Sequence, residues 1–266
     1  MNGPRATTRP AQRLPPRAAV GLGAPAPTHA GGVQRAPAAG DDVAVLLLVD
    51  VARGARLWGW SRIVLGARPL REVPGLRLAK ALGSGHQGGF GLRPSASRQG
   101  LFALFSSEAH ADGFIERSAT VVGYRARASE CLVVKLRATS CRGSWSGAQI
   151  GVSAVVPANG PVAALTRASI RPSRAASFWQ HSPASEAAIA SAAGCQLAVG
   201  LGEAPVLRQA TFSVWDNQAA MDAYARSGAH LQAIQGAVSG GWFSKSMFVR
   251  FVPLLMQGRW QGRCYG

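Results

Sequence analysis

The chain has 266 residues, is 47% hydrophobic and carries a formal charge of +17. That length and apolar share can build a real core, and they exclude a wholly disordered chain. Lys80, Lys135 and Lys245 are the only lysines, and the remaining basic residues are arginine. An arginine excess beside abundant alanine and glycine points to genome composition, and no basic stripe interleaved with aromatics supports nucleic-acid binding.

Residues 1–40 hold seven prolines, five arginines and no acid. Such a segment cannot bury a core and is expected to be a disordered tail. It lacks the apolar stretch of a signal peptide, and its prolines oppose the amphipathic helix of a transit peptide.

From residue 41 onward the chain reads as globular and repetitive. "VAVLLLVDV" from Val43 is an opening strand, and "RLWGWSRIVL" from Arg56 is a helix. "AKALGSG" from Ala79 is a second strand. "GSGHQG" from Gly83 formally fits G-x-G-x-x-G, but Pro94 and more glycine follow instead of a helix start. A flexible loop over a pocket is the better reading.

"QGLFALFSSEAHADGF" from Gln99 recurs 110 residues later as "QATFSVWDNQAAMDAY" from Gln209. Phe102 falls on Phe212, Phe105 on Trp215, and Asp112 on Asp222. In each copy alternating apolar residues give a strand, a polar pair suits a helix N-cap, and a helix follows. "CLVVKLRATSCRGSW" closes the first copy and "SMFVRFVPLLMQGRW" the second. The second copy opens on "VAALTRASI" from Val162, with a helix around "SFWQHSPASEAAIAS".

Each half therefore reads β-α-β-β-α-β, the ferredoxin-like motif. The expected fold is α+β. Two tandem ferredoxin-like repeats, residues 41–150 and 151–256, pack bare face to bare face as a pseudo-dimeric barrel, and residues 257–266 form an irregular tail. A cavity between the two sheets is the expected place for a large apolar ligand.

Local chemistry is sparse. Cys131, Cys141, Cys195 and Cys264 form no C-x-x-C and read as reduced thiols in a cytosolic protein. "HAD" at His110–Asp112 resembles half of a non-haem iron triad, but on a helix positions i and i+2 do not face each other. No G-x-S-x-G or H-E-x-x-H occurs, and the acids are too scattered for a glycosidase pair. No apolar run approaches the ~18 residues of a spanning helix. Three histidines stand out. His86 lies in the glycine loop, His181 in the first helix of the second repeat, and His230 follows Gly228. A lone histidine is more often structural than a ligand. On one continuous helix His230 would lie at the border of the apolar face of Met221, Tyr224 and Leu231. Gly228 offers a point where that helix could end and restart.

The segments "LWGWSRIVLG", "LGSGHQGGFGLRPSASRQGLF", "SCRGSWSG", "ASIRPSRAASFW", "LAVGLGEAPVLRQATFSVW" and "AYARSGAH" together closely resemble the spheroidene monooxygenase family, the acyclic carotenoid 2-ketolases of purple photosynthetic bacteria. The resemblance runs from about Val43 to Val252. It implies a haem enzyme that inserts oxygen from O2 at C-2 of an acyclic, spheroidene-like carotenoid. Two hydroxylations give a geminal diol that loses water to a ketone, with reduced ferredoxin as electron donor. It also implies a cytoplasmic protein in peripheral contact with the inner or photosynthetic membrane, where the substrate lives. Haem enzymes such as chlorite dismutases and aldoxime dehydratases share the expected barrel and take their axial histidine from a helix of the second repeat. By that analogy His230 is the expected ligand to haem iron, in the gap between helix and sheet, with His181 and His86 as lesser alternatives. The competing expectation is a barrel that binds haem, lipid or carotenoid without turnover.

Overall fold

The computed structural model describes Gly40 and residues 42–204 and 206–266. The tail expected over residues 1–40 falls, but for Gly40, outside the described residues. The first half runs β1 (Val43–Val51), α1 (Arg56–Leu65), β2 (Leu76–Gly85), β3 (Pro94–Phe105), α2 (Glu108–Arg117), α3 (Ala119–Arg125) and β4 (Ala128–Gly143). The second runs β5 (Val162–Ile170), α4 (Ala175–Ala190), β6 (Cys195–Ala204), β7 (Arg208–Trp215), α5 (Gln218–Ala225), α6 (Gly228–Ser239) and β8 (Phe243–Trp260). The two orders are the same, as the repeat requires.

Pairing follows the order β4-β1-β3-β2 in one half and β8-β5-β7-β6 in the other, antiparallel throughout. The halves join edge to edge. β2 meets β6 over Gly83↔Gly202 and Ser84↔Leu201, and β4 meets β8 from Leu132↔Gly258 to Gly143↔Met247. The result is one closed barrel of eight strands, with a long seam at β4–β8 and a seam of two residue pairs at β2–β6.

Strand alternation explains the continuous apolar run of β1. Ala44, Leu46 and Leu48 point into the barrel, while Val43, Val45, Leu47 and Val49 point out under the helices. The interior is solid. Phe102, Phe212, Phe251, Trp145 and Trp260 fill it with Leu46, Leu48, Leu165 and Val199, nearly all of them fully buried. These side chains, bulky at matched positions of both repeats such as Phe102 and Phe212, occupy the space between the sheets where a cavity for a large apolar ligand is expected. The cavity under the second helical layer lies instead between helix and sheet, the gap expected for the haem.

The seam between the halves is polar at one point. Glu203 accepts from Trp145 Nε1 at 3.0 Å and pairs with Lys80 at 2.8 Å and Arg167 at 3.3 Å. Burial alone would raise its carboxyl pKa, but these three donors outweigh burial and hold it below the usual range. The last ten residues are not an irregular tail. Residues 257–260 finish β8, and β9 (Arg263–Tyr265) turns back to pair with it. Among the described residues no helix is long and apolar enough to cross a membrane.

Candidate functional site: a cavity under the second helical layer

The two halves differ on the outer face of their sheets. Register places Val45, Leu47, Val49, Leu101 and Ala103 of the first half where the second half has Ala164, Thr166, Ala168, Thr211 and Ser213. In the first half large side chains pack under α2 and the middle of the sheet, and a cavity of about 300 Å³ remains beside α1 and α3. In the second, small ones leave a cavity of about 230 Å³. Its floor is Ala164, Thr166, Ala168, Thr211 and Ser213, and its walls come from α4, α5 and α6. The sequence carries this difference as "VAVLLLVDV" against "VAALTRASI".

The glycine loop also reaches the cavity. Phe90 forms part of the wall, so the expected loop over a pocket is present, although it crosses from the first half to the second. Glycine is required where they meet. A Cβ on Gly200 would lie 2.3 Å from the Gly89 carbonyl oxygen and 2.6 Å from the Phe90 ring. Ser182 Oγ donates to the Phe90 carbonyl at 3.1 Å and ties the loop to α4.

The helix expected across residues 221–237 is broken. α5 is capped by Asn217, whose side chain accepts from Ala220 N, and it ends at Ala225. Gly228 has φ +54°, and α6 begins there in a new direction. The apolar face of one continuous helix therefore does not apply. On α6 itself His230, Ala233, Ile234 and Ala237 share a face and line the cavity.

His230 is held by aromatics. Its ring stacks on Tyr224 with centroids 4.5 Å apart and 24° between planes, and Tyr224 lies 5.2 Å from Trp215. The Tyr224 hydroxyl donates to the Ser185 carbonyl at 3.3 Å, and burial pushes its pKa up to about 12. Burial lowers the pKa of His230, which keeps the imidazole neutral at neutral pH. No described residue hydrogen-bonds its ring nitrogens. A neutral imidazole on a cavity wall whose nitrogens carry no protein hydrogen bond is chemically free to bind a metal centre.

His181 lies on the same wall. It is exposed, and its ring sits 5.0 Å from Trp242. Its Nδ1 donates to the Ser177 carbonyl at 2.8 Å, which leaves Nε2 as the acceptor. His86 is exposed on the turn after β2 and is not part of the cavity lining. His110 sits on α2 with Nδ1 2.8 Å from Ser107 Oγ, while Asp112 pairs with Lys135 at 2.7 Å. The helix thus separates the two ends of "HAD". Among the described residues no three of His, Cys, Asp or Glu converge on a metal-sized site.

The polar end of the cavity is an ion pair. Arg250 Nη2 lies 2.9 Å from Asp222, and both line the wall. Asp222 occupies the repeat position of Asp112, so a helix-to-sheet ion pair recurs in both halves. The walls are largely aromatic and aliphatic, with Phe178, Trp179, Trp242, Phe243, Phe248 and Ile189, while Thr166, Thr211 and Ser213 put hydroxyl groups on the floor. Such a cavity suits a long apolar ligand with few polar groups.

No protein-family model matches the chain. The spheroidene monooxygenase of Rubrivivax gelatinosus is 61% identical to it over 228 residues, 86% of this chain and 88% of that one. The spheroidene monooxygenase of Rhodobacter capsulatus is 34% identical over 210 residues, 77% and 87% of the two chains. Among solved structures, an aldoxime dehydratase in complex with butyraldoxime superposes with a TM-score of 0.54 at 10% identity, covering 83% of this chain and 82% of its own. A further aldoxime dehydratase gives 0.53 at 11% identity, covering 83% and 84%. Those two share the fold. The extent and degree of identity to the first two establish more: the chain belongs to the spheroidene monooxygenase family.

Proposed function

We propose that the chain is a haem-dependent carotenoid monooxygenase that introduces a keto group at C-2 of acyclic carotenoids such as spheroidene. Its relatives' shared name supports the carotenoid substrate and the use of O2. The single observation that carries the cofactor reading is His230, a half-buried neutral imidazole on the cavity wall whose ring nitrogens have no hydrogen-bond partner among the described residues.

No side chain activates O2 toward a C–H bond, and a haem bound in this cavity would supply that chemistry. His230 would hold the iron, with Tyr224 fixing the ring plane by stacking. The residues present fit such a group: a neutral nitrogen ligand, aromatic walls, and Arg250 at the polar end for an anionic edge. The cavity is smaller than the roughly 300–1,000 Å³ usual for small-molecule sites. Phe178, Trp179 and Phe243 exclude water from the apolar end of the substrate. Each hydroxylation consumes one O2, two electrons and two protons and releases one water. After the second, the geminal diol loses water to give the ketone. Reduced ferredoxin supplies the electrons, and the carotenoid is drawn from a membrane that the protein touches peripherally.

A specific observation favours a second ligand assignment. His181 already has the backbone acceptor on Nδ1 that orients metal-bound histidines. His230 has burial and no such acceptor. The alternative function, a barrel that binds haem or carotenoid without turnover, keeps the same cavity.

Expression in cells that accumulate acyclic carotenoids tests the reading. The expected result is a heavier, red-shifted 2-keto pigment. Unchanged pigment beside folded, haem-loaded protein would overturn it. Haem and carotenoid binding without O2 consumption, with ferredoxin and its reductase present, would favour the binding barrel.

A further inference from the structure

The outward side of α1 is apolar. Leu57 is 88% exposed, Trp60 48% and Val64 80%, and on α3 Val122 is 53% exposed. At 100° per residue, positions 57, 60 and 64 fall within about 60° of one another. They stand opposite Gly59, which is buried against Val51 and Gln99. A helix resting on a sheet normally turns polar residues outward, and α1 turns out Leu, Trp and Val.

The surroundings are cationic. From Ala52 to Arg71 the chain carries Arg53, Arg56, Arg62, Arg68 and Arg71 and no acid, and α3 and its end add Arg125 and Arg127. Arg62 and Arg127 both stack on the Trp58 ring, 5.2 Å and 5.0 Å from its centroid. Neither makes an ion pair among the described residues. Both line the mouth of a separate cavity of about 300 Å³ between α1, α3 and the sheet.

We propose that this α1–α3 face is the docking surface for an anionic lipid bilayer. It rests on the functional reading above only in its premise of membrane contact. The apolar stripe enters the acyl boundary, with Trp60 at headgroup level, and the arginine ring meets the negative surface. Arg62 and Arg127, beside Trp58 and without an ion pair among the described residues, are the arginines best placed to meet lipid phosphates. A second copy of the chain does not fit the face, because it would bring one arginine ring against another.

The test is sedimentation of the full chain with phosphatidylcholine vesicles and with phosphatidylglycerol-rich vesicles. Binding is expected to the second kind and to weaken as salt rises. The triple variant Leu57→Ser/Trp60→Ser/Val64→Ser is expected to lose about a hundredfold in vesicle affinity at an unchanged melting temperature, since all three are exposed. Arg62→Gln/Arg127→Gln is expected to keep binding and to lose part of the preference for the anionic vesicles, since five arginines of the ring remain. Val206→Ser/Val238→Ser, which removes exposed valines from the other half, is expected to bind as the parent does. Parental binding by the folded triple variant overturns the proposal. So does a parent that ignores anionic vesicles, or a triple variant that keeps vesicle binding and loses binding to an acidic ferredoxin. Ketone formation from detergent-dispersed carotenoid is measured alongside. Its absence in the parent counts against the oxygenase reading, while vesicle binding still decides this one.

Discussion

Replacing Gly200 with alanine should break the wall of the cavity from the far side. The new Cβ would stand 2.3 Å from the Gly89 carbonyl oxygen and 2.6 Å from Phe90 Cδ1. Restoring ordinary contact means moving the loop by about 1 Å in a close-packed region that transmits strain. The loop cannot yield freely. Ser182 Oγ donates to the Phe90 carbonyl at 3.1 Å, Gln261 Nε2 to the Gln87 carbonyl at 2.9 Å, and Ser84 Oγ to the Gly200 carbonyl itself at 2.7 Å. Overpacking costs about 1–3 kcal/mol, and one lost hydrogen bond adds about 1 kcal/mol. A loss of about 2–4 kcal/mol corresponds to a fall in melting temperature of roughly 5–15 °C for a domain of this size. Ligand affinity should fall too, because Phe90 leaves the wall. Gly83→Ala is the control on the neighbouring strand: its Cβ meets nothing closer than 4.0 Å. The assay is thermal unfolding of both variants with carotenoid binding measured in parallel. A Gly200→Ala protein that melts within about 2 °C of the parent and binds carotenoid equally would refute the reasoning.

Glu203→Gln leaves Lys80 and Arg167 facing each other across the seam without their shared carboxylate. The expected loss is about 3 kcal/mol, read as a lower urea midpoint. With its pKa lowered in the fold, Glu203 stabilises the native state above the ordinary carboxylate range. That contribution disappears as pH falls through the depressed value, so acid unfolding of the Gln variant should show a shallower pH dependence. His230 has the same sign for a different reason. Its folded pKa is below the unfolded value of about 6.5, so the unfolded chain binds the proton more readily. In haem-free protein, stability should drop as pH falls from about 6.5 toward the depressed value, and His230→Phe should flatten that drop. An equal slope in parent and variant would show that His230 is not buried as a neutral ring.

The repeat was legible because it is written in side chains that face inward. Phe102 and Phe212 fill the same barrel, and Asp112 and Asp222 make the same ion pair to β4 and β8. Ser107 and Asn217 cap the helices that the polar pairs announced. Barrel closure was less legible. The β4–β8 seam joins residues more than a hundred positions apart, and nothing local in "CLVVKLRATSCRGSW" names its partner. The helix-to-sheet gap beside His230 was legible, but the expectation of a further cavity between the sheets was not met, for a related reason. Alternation says that a strand has two faces but does not say which is roomier. Only the register of β1 against β3, set beside β5 against β7, shows Leu47 and Leu101 giving way to Thr166 and Thr211. Phe90 was invisible as a wall residue because it reaches the site from the other half. The joint at Gly228 was legible as a possibility, and its positive φ decides that α6 starts afresh.

The central claim is that His230 holds a haem in the second-half cavity. It is tested most directly by the absorption spectrum of protein purified from haem-sufficient cells, for the parent and for His230→Ala, His181→Ala and His86→Ala. The account predicts a Soret band in the parent, loss or displacement of that band in folded His230→Ala, and an unchanged band in His86→Ala. A band lost only in His181→Ala would transfer the ligand role to that residue. A folded His230→Ala protein with full haem content and an unshifted Soret band would contradict the claim.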